Sequence, residues 1–127
     1  MSIYRAVLCG LGNIAWLFDR NYPESVTSLS HAGAYGKQAR TTLVAGFSPA
    51  QKDRDIFSQA FGLPTYDSLE ELLAAERPEI VSICSPSQTH YSQVMTCLDY
   101  DIPMIWLEKP PAFTSAEVDA LAAMAAA

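Results

Sequence analysis

The chain has 127 residues, half of them hydrophobic and 17% charged, with a formal net charge of −6. A domain of this size buries enough apolar surface to fold without staples, and the composition is that of a globular chain, not a disordered one. The acidic balance excludes nucleic acid or an anionic membrane as a general partner, since both call for a basic surface.

Tyr4-Arg5-Ala6-Val7-Leu8-Cys9 is an apolar run of strand length that breaks into Gly10-Leu11-Gly12-Asn13-Ile14-Ala15 and continues as Trp16-Leu17-Phe18. Strand, glycine turn and helix in that order are the setting in which Gly-x-Gly-x-x-Ala means something. Gly10 then makes the tight turn, Gly12 lets backbone approach a diphosphate, and Ala15 lets helix and strand pack closely. The diphosphate rests on the N–H groups and the positive end of the new helix. A plain structural turn is the competing reading of this motif taken alone. Ala6 to Phe18 is also apolar enough to raise a signal peptide, but Gly10, Gly12 and Asn13 interrupt it, and Asp19-Arg20 stand where a cleavage site belongs. No run approaches the roughly 18 apolar residues of a membrane span.

The helix predicted from Asn13 ends near Arg20, and Asn21-Tyr22-Pro23-Glu24-Ser25 reads as a loop. A second helical piece, capped by Ser28 or Ser30, covers His31 to Gln38, so an insertion breaks what is ordinarily one helix. His31 reads as a first-turn histidine bonded to solvent or a carbonyl in preference to a ligand contact. Thr41 to Phe47 is the second strand, β-branched and apolar, ended by Ser48-Pro49. A helix from about Ala50 carries Ile56, Phe57, Ala60 and Phe61 and stops at Gly62 and Pro64. Thr65-Tyr66 is a short third strand. Ser68-Leu69-Glu70-Glu71 has capping-box form and opens a short helix on Leu69, Leu72 and Leu73, closed by Arg77-Pro78.

Glu79 to Cys84 is the fourth strand, and Ser85-Pro86-Ser87 turns the chain into a helix whose apolar stripe is Tyr91, Val94, Met95 and Leu98. Met104 to Leu107 is the fifth strand, ending in Glu108-Lys109-Pro110-Pro111. Thr114 with Glu117 caps a last helix through Val118, Leu121 and Met124. The three cysteines, Cys9, Cys84 and Cys97, have no metal-type spacing, and two lie inside apolar runs, which fits a reduced, cytosolic protein with no metal site. Strands alternating with helices imply an α/β fold, a doubly wound parallel sheet in three layers over residues 1–127, with strand order 3-2-1-4-5. Ligand then lies at the carboxyl ends of strands one and four. That edge gathers Gly10 to Ile14, Ser48, Ser85-Pro86 and Glu108-Lys109.

Four pieces in this order resemble one family: Gly10-Leu11-Gly12-Asn13-Ile14-Ala15, the strand ending at Ser48, Ser85-Pro86-Ser87-Gln88-Thr89-His90, and Glu108-Lys109-Pro110. They resemble the amino-terminal Rossmann half of the Gfo/Idh/MocA (glucose-fructose oxidoreductase, inositol dehydrogenase) oxidoreductases. The resemblance implies an NAD(P)-dependent dehydrogenase acting on a sugar, polyol or related carbinol. It implies that Gly10, Gly12, Asn13 and Ile14 hold the pyrophosphate, and that Ser85, Pro86 and His90 line the nicotinamide half. Lys109 is then the residue for chemistry between nicotinamide and substrate, with His90 shaping the site, and Glu108 anchors the loop or touches the cofactor.

Two departures from the family pattern carry weight. Where the family has an acidic residue at the end of strand two, this chain has Ser48 followed by Lys52 and Arg54. A small hydroxyl with cations nearby tolerates a 2′-phosphate that a carboxylate repels, so NADP is expected to bind at least as well as NAD. The chain also ends about where the family's second domain begins, the domain that supplies the substrate pocket and usually an oligomer interface. The expectation is therefore a cofactor domain inactive on its own. A sensor or corepressor-like NAD(P)-binding module is the alternative, and the retained Lys109 and Pro110 speak against it. A methyltransferase-like domain shares the glycine turn but has no call for Glu-Lys-Pro after strand five.

Overall fold

A computed structural model describes residues 2–126. Five parallel strands form one sheet in the order β3-β2-β1-β4-β5: β1 Tyr4–Cys9, β2 Thr41–Phe47, β3 Thr65–Tyr66, β4 Ile80–Ile83 and β5 Met104–Leu107. The expected order holds, and β2, β3 and β5 have the expected bounds, while β4 is one residue shorter at each end than the apolar run. The helices are α1 Phe18–Asn21, α2 His31–Lys37, α3 Gln51–Phe61, α4 Leu69–Glu76, α5 Ser87–Asp99 and α6 Ser115–Ala126. A π-helical turn, Asn13–Leu17, precedes α1.

Because side chains alternate along a strand, β1 feeds two cores. Val7 and Cys9 point to the layer of Leu69, Leu72 and Leu73 from α4 and of Val94 and Cys97 from α5. Ala6 and Leu8 point to Trp16, Ala32, Tyr35 and Phe57 on the other face. A central strand buried on both faces reads as an unbroken apolar run, as β1 does.

Local chemistry ends the helices where the sequence predicts. Ser30, not Ser28, caps α2, its hydroxyl accepting from Gly33 N–H. Ser68 accepts from Glu71 N–H at 3.2 Å, and Thr114 and Glu117 cap each other reciprocally at the start of α6. Gly62 and Arg77 close α3 and α4 in the left-handed conformation. The stripe on α5 differs from expectation. His90, Val94 and Cys97 are the buried set, and Leu98 is exposed. Both sets have helical spacing, but only His90, Val94 and Cys97 face the sheet.

At the end of β1, Gly10 has φ +98°, and a Cβ added there would lie 2.7 Å from Ser85 N and 2.9 Å from Ser85 Cα. Strand one can turn beside strand four only without a side chain. Gly10→Ala is expected to cost about 3 kcal/mol from the left-handed backbone and the clash together. Urea unfolding checks this, and a midpoint equal to the parent's would contradict it.

Candidate functional site

The glycine turn leaves the sheet at its carboxyl edge, where a groove of about 640 Å³ opens between the ends of β1, β2 and β4. Gly10, Gly12, Ser48, Ser85 and Pro86 all line it, so residues far apart in the chain share one crevice. Gly12 has φ −94°, and a Cβ built on it would meet nothing within 4 Å. The space above it is open. Asn13 and Ile14 begin the helical run and do not line the groove itself. The run starts with a π turn, in which Leu17 N–H reaches Gly12 O, a distortion that tends to mark functional places.

Ser48 is buried, and its hydroxyl accepts from Ala50 N–H at 3.1 Å. Arg54 turns back from α3 to donate to Ser48 O at 2.6 Å, while Lys52 is exposed. Asp53, Thr89 and Gln93 also line the groove, and none was singled out from the sequence. Thr89 and Gln93 follow Ser85 at intervals of four, one face of a helix, which is the signal that could have found them. Their side chains and Ser85 Oγ are hydrogen-bonded together.

Lys109 is exposed at the end of β5, outside the groove lining. Its loop is tied down on both sides. Glu108 N–H donates to Ile83 O at 3.0 Å, extending the β4–β5 ladder. His90, 1% exposed, has Nδ1 2.8 Å from Pro110 O and Nε2 2.7 Å from Ser85 O. That corrects the place given to His90. Both ring nitrogens face backbone carbonyls, one of which takes the N–H of a neutral ring, so His90 sits between the Ser85 turn and the Lys109-Pro110 turn and outside the groove lining.

His31 also differs from expectation. It is 2% exposed and bonded neither to solvent nor to a carbonyl: Nδ1 lies 2.8 Å from Ser82 Oγ and Nε2 2.7 Å from Glu108 Oε2. Ser82, fully buried in an otherwise apolar strand, was the sequence sign that a polar partner had to exist. The His31 hydrogen bond holds the Glu108 carboxyl below its usual range, helped by the Lys109 backbone N–H and opposed by partial burial. Burial pushes Cys84 and Cys97 up to about 12 and Cys9 well upward, with the Glu108 charge adding to Cys84. These thiols stay protonated and are poor nucleophiles. Among the described residues no three His, Cys, Asp or Glu side chains gather as metal ligands, and no helix is long and apolar enough to cross a membrane.

Residues 4–127 match the profile of the GFO_IDH_MocA oxidoreductase family, NAD-binding Rossmann fold. The D-glucoside 3-dehydrogenase of Escherichia coli (strain K12) is 29% identical over 85 residues, 66% of this chain and 24% of that protein. The WlbA dehydrogenase from Bordetella pertussis, solved with NADH and UDP-GlcNAcA, superposes with a TM-score of 0.77 at 21% identity, over 96% of this chain and 32% of that one. Myo-inositol 2-dehydrogenase from Lactobacillus plantarum gives a TM-score of 0.74 at 20% identity, over 98% and 33%. The chain thus spans about a quarter to a third of the length of these relatives. A family profile covering nearly the whole sequence, joined to the glycine corner and the expected strand order, leads to one statement: the chain belongs to the Gfo/Idh/MocA oxidoreductase family, as its NAD-binding Rossmann domain.

Proposed function

We propose that these residues form the cofactor half of an NAD(P)-dependent dehydrogenase that oxidises a carbinol of a sugar, polyol or glycoside. The observation that carries the reading is the open space above Gly12, which any larger residue would fill, at the head of a helix and beside a groove. Gly10, Gly12, Asn13 and Ile14 would hold the diphosphate on backbone N–H groups. Ser48 would face the adenosine ribose, and Ser85 and Pro86 the nicotinamide end. The bound dinucleotide supplies a hydride acceptor.

Lys109 holds the substrate hydroxyl and stabilises the negative charge that develops on its oxygen as the carbon gives up hydride. His90 sits between the Lys109 turn and the Ser85 turn. The names of the relatives, a D-glucoside 3-dehydrogenase and a myo-inositol 2-dehydrogenase, support this substrate class. This half alone is expected to bind dinucleotide without turnover, because positioning the substrate supplies much of the rate.

Arg54, held against the end of β2, favours a 2′-phosphate, so NADPH is expected to bind at least as tightly as NADH. Titrations with the two nucleotides, followed through the emission of Trp16 and Trp106, test both parts. Trp16 donates to Leu11 O beneath the glycine corner, and Trp106 lies two residues before Glu108. Tighter NADH binding would overturn the phosphate preference and give the ribose diol to Asp53. Absence of saturable binding by either would overturn the whole reading.

A further inference from the structure

Outside the groove, a line of buried polar side chains runs from the Lys109 turn into the sheet. Glu108 Oε2 meets His31 Nε2, His31 Nδ1 meets Ser82 Oγ, and Ser82 Oγ meets the Tyr35 hydroxyl. Trp106 lies against the His31 ring, with centroids 3.7 Å apart and planes 33° apart. With His31 a neutral ring, the inventory of donors and acceptors gives the hydrogen-bond directions. An ionised carboxylate only accepts, so Nε2 carries the proton. Nδ1 then accepts from Ser82, and Ser82 accepts from Tyr35. The reverse direction points a ring lone pair at Glu108 and leaves the buried Tyr35 proton without an acceptor among the described residues. Since the line ends at Tyr35, itself buried, it conducts no proton to solvent.

It fixes Glu108 instead. The Glu108 carboxylate is held by the ring from α2, so a side chain from another layer of the fold clamps the turn that presents the lysine. The start of α2 is anchored in turn. Asp19 accepts from Leu29 N–H at 2.9 Å and from the Ser30 hydroxyl, so the insertion returns the chain with His31 in place. We propose that His31, acting through Glu108, is a positioning residue for Lys109. The proposal rests on the dehydrogenase reading above, and it makes Glu108 part of a rigid clamp, where the sequence suggested a loop anchor or a cofactor contact.

The first test needs no substitution. Long-range proton–nitrogen spectra of the parent at pH 8 are expected to show His31 as the Nε2–H tautomer, and the Nδ1–H tautomer would overturn the proposal. The second uses His31→Phe and His31→Gln in a protein carrying this domain together with a substrate half. Phe keeps the ring against Trp106 but has no nitrogen, and is expected to lower kcat about 10²-fold, the scale of a misplaced catalytic group, with NAD+ affinity little changed. Gln offers an N–H near the Nε2 position and restores most of the rate. A purely structural role would lower affinity and folded fraction together, without rescue by Gln. An unchanged kcat in His31→Phe overturns the proposal.

Should His31→Phe fail to fold, Ser82→Ala removes the donor to Nδ1 and is expected to mix the tautomers and lower kcat. The titratable groups facing Glu108 are the His31 ring and the Lys109 ammonium, with the Cys84 thiol beside them. Its carboxyl carbon shift against pH is expected to move up toward the ordinary range in His31→Phe and stay low in His31→Gln. Absence of turnover in the parent would sink the dehydrogenase reading alone. The carbon shift of Lys109 Cε then reads the clamp, and a signal identical in parent and His31→Phe overturns it.

Discussion

In a protein carrying this domain together with a substrate half, replacing Lys109 with methionine is expected to lower kcat about 10³-fold while dinucleotide affinity stays close to the parent's. Methionine keeps the length and the apolar stem and removes the charge. The loss expected follows from what a positioned ammonium does for a developing alkoxide in a site sheltered from water, commonly 10²- to 10⁴-fold. Lys109 suits that task because its loop is immobilised from three sides. The strand ladder holds Glu108 through Ile83, His90 sits between Pro110 and Ser85, and His31 holds the Glu108 carboxylate. The side chain itself is exposed and makes no hydrogen bond or ion pair among the described residues, so losing it costs the fold little. Steady-state rates on a glycoside or inositol, beside a cofactor titration, check both halves of the expectation. A methionine variant that turns over at the parent's rate would remove Lys109 from the chemistry and favour the sensor alternative.

Much of the architecture was legible in the sequence because each element carries its own punctuation. The apolar runs of β1 and β2 end in Gly10 and in Ser48-Pro49, and the capping pairs at Ser68 and Thr114 mark helix starts to the residue. Part of the groove was legible for the same reason: Gly10, Gly12, Ser48, Ser85 and Pro86 line it, while Asn13, Ile14, Glu108 and Lys109 do not. Once the strand order is known, the residues just beyond strand ends fall on one edge.

What the sequence hid are matters of packing across layers. His31 is 51 residues from Ser82 and 77 from Glu108, so nothing local announces that it will be buried between them. On α5 two stripes compete, and which one faces the sheet is decided by the seat of His90 between two carbonyls, an interaction with no sequence period. The π turn after Gly12 has no compositional cue either. Asp53 carries no motif of its own: it stands between the cations at 52 and 54, and the groove takes the residue between them.

The edge strand shows the opposite case. Met104 and Trp106 read as ordinary apolar strand residues, yet both are substantially exposed, since β5 has a neighbour only on its β4 side among the described residues. The alternation of exposed Met104 and Trp106 with half-buried Ile105 and Leu107 is that of a sheet covered fully on one face there, and on the other only by His31 and Tyr35 against Trp106. That leaves Trp106 open beside the Lys109 turn, where it serves as a reporter.

A diphosphate seated over the second glycine of the corner is what cofactor binding here requires, and Gly12→Val tests that most directly. Its backbone is extended and a Cβ there touches nothing, so the variant is expected to fold with a melting temperature near the parent's. The added side chain fills the space the diphosphate needs, and NADH and NADPH binding are expected to weaken by about 10²-fold or more, roughly 3 kcal/mol. A folded Gly12→Val that binds either nucleotide as tightly as the parent would place the cofactor elsewhere and contradict the site.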